Sequence, residues 1–229
     1  MAEFASRCGL EYDPVGKTDT IGLGLLFDVG YSRRYRGVLS YGHDGQRLLE
    51  VGRYEYTVGS GKQRRTYIWY YAGMRLPRRV PHLVLDSKSN DGIVMGKALI
   101  SNLPVVISNS QRISLEGDFD TYFTLYAPKQ YDVDVRYVLT PDVMAALVDK
   151  SSCFDVELVD DMAFFYALQG ETPDNQVFGD IFTALAVVGR ELHDQIDGYA
   201  DDRVEGARRS NEIAEQGKRL KKRTRPAAL

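Results

Sequence analysis

The chain has little of what builds a covalent or metal-held framework. It contains two cysteines, Cys8 and Cys153, and three histidines in 229 residues. The cysteines are far apart and lack zinc-type spacing, so both are predicted to be reduced, small apolar residues. His43, His82 and His193 fall in different predicted elements, and no His-x-x-x-His pair occurs. The composition therefore predicts neither a disulfide scaffold nor a metal site, and no cofactor.

Long apolar runs are also missing. The first residues lack a basic start followed by an apolar stretch, so no signal peptide is predicted. The longest apolar stretch, Val177–Gly189, is broken by Asp180. It is shorter than the roughly 20 residues that a membrane-spanning helix needs. A cytoplasmic protein is expected.

No catalytic motif stands out. No serine lies in Gly-x-Ser-x-Gly, and neither cysteine has a histidine nearby in sequence. Gly22-x-Gly24 and Gly59-x-Gly61 lack the helix and lysine of nucleotide-binding loops, so both are interpreted as turns. Three acidic pairs have no calcium-loop spacing and are interpreted as solvated or as turns: Asp132/Asp134, Asp160-Asp161 and Asp201-Asp202. The prediction is that the chain is not an enzyme.

Charge, by contrast, is strongly segregated. Residues 1–112 carry 16 Lys/Arg and 10 Asp/Glu, a net of +6, whereas residues 113–202 carry 4 and 19, a net of −15. Residues 203–229 carry 9 and 3, again +6, and the three parts sum to −3. The near-neutral total hides a basic–acidic–basic arrangement.

Alternating residues in the first half predict strands. Arg36–Tyr41, Arg47–Val58 and Arg64–Leu76 are the clearest, with a turn at residues 59–61 between the last two. Tyr67, Trp69 and Tyr71 share one face and are interpreted as packing residues rather than a base-stacking platform. A proline-bracketed elbow at residues 77–81 separates a further short strand, His82–Asp86.

The second half mixes strands and helices. Tyr131–Leu139 alternates and is predicted to be a strand, and residues 153–168 are predicted to be a hairpin turning at Asp160-Asp161. Thr140-Pro141-Asp142 is typical of a helix start, with the helix ending near Lys150. Residues 2–8 are predicted to be a short helix that stops at Gly9. These elements predict an α+β fold, an antiparallel β-sheet packed by two or three helices.

A long amphipathic helix is predicted to open at Thr172-Pro173-Asp174. The organisation is then a core domain at residues 1–168, this helix at 172–202, packed on the core or on a partner, and a basic, flexible tail at 203–229. If the core does not cover it, the apolar stripe of the helix is a candidate partner surface, including for a homodimer. The stripe consists of Val177, Ile181, Leu185, Val188, Leu192 and Ile196.

Several short stretches carry a family resemblance over most of residues 4–168. They include Gly37-Val38-Leu39-Ser40, Phe119…Tyr122-Phe123 and Arg136-Tyr137-Val138-Leu139-Thr140-Pro141. In these the chain resembles a bacterial family known only as a domain of unknown function. The resemblance implies a small α+β module of bacterial origin. It also implies an accessory role, since such modules are attached to membrane proteins or encoded beside them. It implies no catalytic residue.

Basic residues offer a second kind of surface, because clustered arginines and lysines attract phosphates and anionic lipids. The alternative is that these residues are solvated or paired with the acidic part of the chain. The candidates are Arg33, Arg34, Arg36, Arg64, Arg65, Arg78 and Arg79 at strand ends, and Lys218, Arg219, Lys221, Lys222 and Arg223 in the tail.

Three functional hypotheses follow. The first is a non-catalytic module for protein interaction or scaffolding, at or near the inner face of the cytoplasmic membrane. The second is an anion-binding module for acidic lipid headgroups or nucleic acid, with nucleic acid the less favoured partner. The third is a hydrolase-like enzyme whose site is assembled by the fold, which predicts a cleft containing His82 or His43 beside carboxylates.

Overall fold

The structure is a computed structural model that describes residues 1–16, 23–44, 46–94, 98–169 and 175–200. The tail lysines and arginines, the predicted helix start at residues 172–174 and the acidic pair at 201–202 lie outside these residues. Five α-helices are described: α1 (Ala2–Cys8), α2 (Phe119–Tyr122), α3 (Asp132–Val138), α4 (Pro141–Ser151) and α5 (Asn175–Asp197). The described strands are β1 (Glu11–Asp13), β2 (Tyr31–His43), β3 (Gln46–Val58), β4 (Arg65–Ser87), β5 (Gly92–Val94), β6 (Ala98–Ile100), β7 (Arg112–Ile113), β8 (Phe123–Tyr126) and β9 (Asp155–Leu168).

An antiparallel sheet organises the molecule, so the predicted α+β class is confirmed. Seven strands pair in the order β1-β2-β3-β4-β8-β7, and β9 pairs with β4. A separate two-stranded sheet joins β5 to β6. The predicted hairpin of β3 and β4 is confirmed, with Tyr54 opposite Trp69 and Glu55 opposite Ile68. β-branched and aromatic residues favour this pairing because their side chains pack against those of the opposite strand.

Strand β4 is longer than the sequence predicts. The elbow predicted at residues 77–81 is a bulged stretch inside one continuous strand, because the register against β9 shifts between Arg75 and Val80 and again before Leu83. The first half of β4 pairs with β3, and its last residues pair with β8. β4 is therefore the central strand that joins the two halves of the sheet.

The hairpin predicted over residues 153–168 is wrong. The two segments form one strand, β9, because both pair with β4 instead of with each other. Asp160 has a positive φ of 56°, and it sits where the register with β4 is irregular. The acidic pair thus lies opposite a bulge in β4, which explains how a turn-like dipeptide occurs inside a long strand.

The strand predicted over Tyr131–Leu139 is also wrong. This segment is a single helical turn at residues 129–131 followed by α3. Val135 and Val138 are buried, whereas Val133 is 77% exposed. The spacing of buried residues is that of a helix, and the alternation of valines with charged residues concealed it.

The other short elements agree in part with the sequence. α1 ends at Gly9, whose φ of 67° fits a left-handed helix stop, as predicted. α4 begins at Pro141 as predicted, but the Thr140 side chain makes no capping hydrogen bond. None of the described helices combines the length and apolar content that a bilayer crossing requires.

Each face of the sheet carries its own core. On one face, α4 and α5 cover residues such as Val51, Tyr70 and Leu85. On the other, the segment around Phe27 packs on an aromatic cluster. That cluster contains Tyr35, Tyr54, Tyr56, Trp69, Tyr71, Phe164 and Tyr166, with Tyr67 partly buried beside it. The aromatic residues of β3 and β4 are therefore packing residues, as predicted.

Candidate functional site

The stripe on α5 is covered by the chain itself. Ile181, Val188 and Ile196 are fully buried, Leu185 and Leu192 are nearly so, and Val177 is partly buried against the same core. The condition for a partner surface, that the core leaves the stripe open, is not met. The apolar surface available for binding must lie elsewhere.

An open groove lies beside α5. It is lined by residues near the hairpin ends of β2 and β3, by the middle of β4 and by α5. The groove has a volume of about 730 Å³. Its apolar lining is Leu48, Leu49, Met74, Leu76, Pro77, Phe182, Leu185, Ala186 and Gly189, and its polar lining is Tyr41, Arg75, Arg190 and His193.

The polar lining of the groove consists of two arginines, one histidine and one tyrosine. Arg75 pairs with Asp161 on β9, yet its buried Nε has no partner among the described residues. Arg190 is 68% exposed, and its contact with the adjacent Glu191 is a surface pair of little energetic weight. No described residue lining this groove is acidic. The groove thus combines an apolar trough with positive charge at its rim.

A buried polar cluster occupies the opposite face of β4 and β9. His82 Nε2 lies 2.7 Å from Glu157 Oε1, and both side chains are 1% exposed. Glu157 also accepts hydrogen bonds from the Leu25 backbone N–H at 2.8 Å and from the Tyr166 hydroxyl at 2.8 Å. Gly24 beside it has a φ of +108°, and a Cβ there would lie 2.5 Å from the Tyr166 oxygen, so glycine is required.

The histidines do not form an open catalytic site in the described structure. His82 is beside a carboxyl group, as the hydrolase-like hypothesis requires, but it lines none of the described cavities. His43 and His193 are exposed and lie near the adjacent Asp44 and Asp194, at 3.4 and 3.6 Å. The predicted cleft with His82 or His43 is therefore not found among the described residues.

Two aspartates further along the same strand pair are buried. Burial raises the pKa of Asp86 to about 7 and that of Asp155 to about 8. The Ser101 hydroxyl donates to Asp86 at 2.8 Å, and the Ser87 N–H donates to Asp155 at 2.9 Å. Both hydrogen bonds lower the pKa of their acceptor, but desolvation is the larger effect.

Other acidic and thiol groups have structural surroundings. Asp132 and Asp134 lie on α3, where Asp132 pairs with Arg136 and Asp134 accepts from the Tyr199 hydroxyl at 2.8 Å. Cys8 and Cys153 are exposed and are not joined to each other by a disulfide. Within the described part of the chain, no group of three or more His, Cys, Asp or Glu residues is arranged to hold a metal ion.

The predicted arginines separate into paired and unpaired sets. Arg33 hydrogen-bonds to the Asp28 carbonyl at 2.8 Å, and Arg78 bonds to that of Asp197 at 3.2 Å. Arg36 pairs with Glu55 at 3.0 Å and Arg79 with Asp160 at 3.1 Å. The other three, Arg34, Arg64 and Arg65, form no ion pair with a described residue. Pairing within the molecule thus accounts for part of the basic rim.

One arginine was missed by the sequence reasoning. Arg53 of β3 stands alone in sequence, but the sheet register places it directly opposite Arg36. Arg34 lies opposite Glu55 on the same face. Three arginines therefore converge on one face of the sheet. Aligning the predicted β2 and β3 strands in an antiparallel register would have placed Arg53 beside Arg34 and Arg36.

Comparison with known proteins identifies a shared fold and no family. No protein-family model matches the chain, and no curated protein matches it in sequence. Among solved structures, the mycobacterial trehalose monomycolate transport factor A, TtfA, is similar with a TM-score of 0.50 and 11% identity. The match covers 85% of this chain and 91% of that one. The chain thus shares its α+β fold with TtfA.

Proposed function

We propose that the chain is a non-catalytic binding module that holds a long-chain acidic amphiphile in the groove beside α5. The observation that carries this proposal is the apolar groove with cationic side chains at its rim. The proposal replaces a protein partner on the α5 stripe with a ligand in the groove, because the stripe is buried. It develops the anion-binding hypothesis for acidic lipid headgroups.

The apolar part of the groove suits a hydrocarbon chain. Its volume of about 730 Å³ lies within the range of roughly 300–1,000 Å³ that is usual for small-molecule sites. Most of its lining residues are aliphatic or aromatic. The surface continues beyond the groove, because Phe182 contacts the 39% exposed Phe4 of α1, with ring centroids 5.9 Å apart. Binding of a flexible alkyl chain to such a surface is favourable by about 25 cal/mol per Å² of apolar area buried.

The polar part of the groove suits an acidic head. Arg190 and His193 stand one turn apart on α5, and Arg75 faces them from β4. A carboxylate or phosphate at this rim would meet the exposed guanidinium of Arg190, with Arg75 behind it in an ion pair with Asp161. Charge complementarity of this kind selects between ligands more than it adds affinity.

Two further observations support a binding role over catalysis. The His82–Glu157 pair is sealed in the core, where a substrate in the described cavities cannot reach it. The structurally similar TtfA is, by its name, a transport factor. An accessory role in a bacterium, on the cytoplasmic side and beside the membrane, belongs to the same proposal.

Binding of a fluorescent 12-carbon fatty acid and its methyl ester below their aggregation concentrations tests the proposal. The wild-type chain is expected to bind the acid more tightly than the ester. Ala186 is exposed and lines the groove, so a tryptophan at this position would fill it. Ala186→Trp is expected to lower the affinity for both ligands about tenfold. Arg190→Glu reverses one rim charge and is expected to weaken only the acid, by about fivefold.

The matched control is Arg64→Glu. It makes the same charge change at an exposed arginine in the β3–β4 turn, away from the groove, and should leave both affinities unchanged. If neither ligand binds, or if Ala186→Trp binds as well as the wild type, the groove is not an amphiphile site. A segment of a protein partner would then become the favoured occupant.

A further inference from the structure

We propose that Arg34, Arg36 and Arg53 form a second binding site, on the sheet face that also carries α5, for a phosphate-type dianion. The site does not depend on the groove or on its ligand. It is defined by the strand register, which places Arg34 opposite Glu55 and Arg36 opposite Arg53. Residues directly opposite each other in antiparallel strands point to the same face, so all three guanidinium groups project from one surface.

The charge at this surface is unbalanced. The cross-strand pairs Arg34/Glu55 and Arg36/Arg53 contain three arginines and one carboxylate. The Glu55 side chain is 18% exposed and forms a 3.0 Å ion pair with Arg36. Arg34 and Arg53 form no ion pair with any described residue. Like charges directly opposite each other destabilise a sheet. A bound anion would relieve the repulsion between Arg36 and Arg53.

The surroundings make these arginines better ligands than flexible surface residues. Arg53 lies opposite the buried Tyr70 of β4, and Glu55 lies opposite the partly buried Ile68. Tyr70 is fixed by an edge contact with Phe178 of α5, with centroids 5.1 Å apart. The central strand is thus covered by α5 next to the site. Arg53 itself is only partly exposed, which strengthens its interaction with an anion relative to one in bulk water.

Phosphate is the anion class that fits the arrangement best. Each guanidinium presents a planar fork of N–H donors that matches two phosphate oxygens. β2 and β3 hold their arginines about 4.8 Å apart in the direction across the sheet. Two forks at that spacing can contact different oxygens of one phosphate group. A monovalent halide would use only one donor from each fork, so selectivity for phosphate over chloride is expected.

Calorimetric titration of the full chain with inorganic pyrophosphate, at fixed ionic strength in chloride, tests the site. Arg53→Gln is expected to lower the affinity at least tenfold, since a hydrogen-bonded charge pair with phosphate is lost. In the absence of the anion, Arg53→Gln should melt at the same temperature as the wild type or slightly above it, because the repulsion between Arg36 and Arg53 is removed. The control Arg64→Gln, with the same change of charge, should stay within twofold of the wild type.

Vesicles distinguish the source of the phosphate. Phosphatidylcholine vesicles with and without phosphatidic acid are sedimented with the wild-type chain and both variants. If Arg53→Gln loses pyrophosphate binding but still binds vesicles with phosphatidic acid, the ligand is a soluble phosphate. If Arg53→Gln loses binding to those vesicles but still binds pyrophosphate, the ligand is a lipid headgroup. The proposal is overturned if the two variants behave alike in both assays, or if the wild type binds neither probe.

Discussion

Replacing Glu157 with alanine is expected to lower the free energy of unfolding by about 3–5 kcal/mol, the usual cost of breaking a buried polar network at one partner. The substitution leaves the Leu25 N–H and the Tyr166 hydroxyl without their acceptor, and both lie in the core. His82 loses its 2.7 Å contact at the same time. Urea denaturation of wild type and variant measures the difference.

A local measurement separates this effect from general loosening. Leu25 belongs to the segment that packs across the second face of the sheet, and Glu157 bonds its backbone amide. Exchange of that amide with deuterium should therefore accelerate more in Glu157→Ala than exchange within β3. Asp132→Ala removes an exposed carboxylate paired with Arg136 and should cost at most about 0.5 kcal/mol. A loss below 1 kcal/mol in Glu157→Ala would falsify a stabilising role for the cluster.

The sheet was predictable where one face of a strand is buried and the other is not. Strand β3 shows this alternation over residues 52–56 and was identified nearly to its ends, whereas β4 is buried on both faces over residues 69–73 and was predicted only over its first half. The stripe of α5 was equally clear, because residues three and four apart are buried along the helix. These are local patterns, so they persist without knowledge of the neighbouring elements.

The errors arose where two periods fit the same residues. Val133, Val135 and Tyr137 alternate with charged residues, but only Val135 of the three is buried. The helix α3 contacts α5, and its Asp134 accepts a hydrogen bond from Tyr199, which follows α5 in the chain. At Asp160 a turn-forming residue stands in a strand because β4 bulges at the matching place. Neither contact is visible in the local sequence.

The candidate sites depend on contacts between distant residues. The groove combines the ends of β2 and β3 with α5, and more than 100 positions of sequence separate them. The arginine site needed the register of β2 against β3, although Arg34 and Arg36 were identified as anion-binding candidates beforehand. Residue type was thus predictable for part of each site, whereas convergence of the residues required the fold.

Replacing Asp155 with asparagine is expected to stabilise the protein in alkaline solution and to have little effect in acid. Burial raises the pKa of Asp155 to about 8, whereas the unfolded chain has an ordinary aspartate. The folded protein therefore holds a proton that the unfolded chain releases between about pH 4 and pH 8. The contribution of this group to stability is largest below that window and is lost as the pH rises through it.

Asparagine does not titrate, so the variant escapes that loss. Its side-chain oxygen can still accept from the Ser87 N–H, and its amide replaces the buried Oδ2, which has no partner among the described residues. The unpartnered amide costs the same at every pH, so the stability of the variant relative to the wild type should rise by up to about 4 kcal/mol between pH 5 and pH 9. Urea denaturation at half-unit pH intervals measures the profile.

The neighbouring carboxyl groups determine how strongly the stability of the Asp155→Asn variant still depends on pH. Asp86, with a pKa raised to about 7, and the partly exposed Asp91 both raise the pKa of Asp155 through charge repulsion. Asp86 titrates in the same window and should keep a smaller decline of stability with pH in Asp155→Asn. The double variant Asp86→Asn/Asp155→Asn should flatten it further. If the Asp155→Asn profile instead runs parallel to the wild type from pH 5 to pH 9, Asp155 does not carry the proton assigned to it.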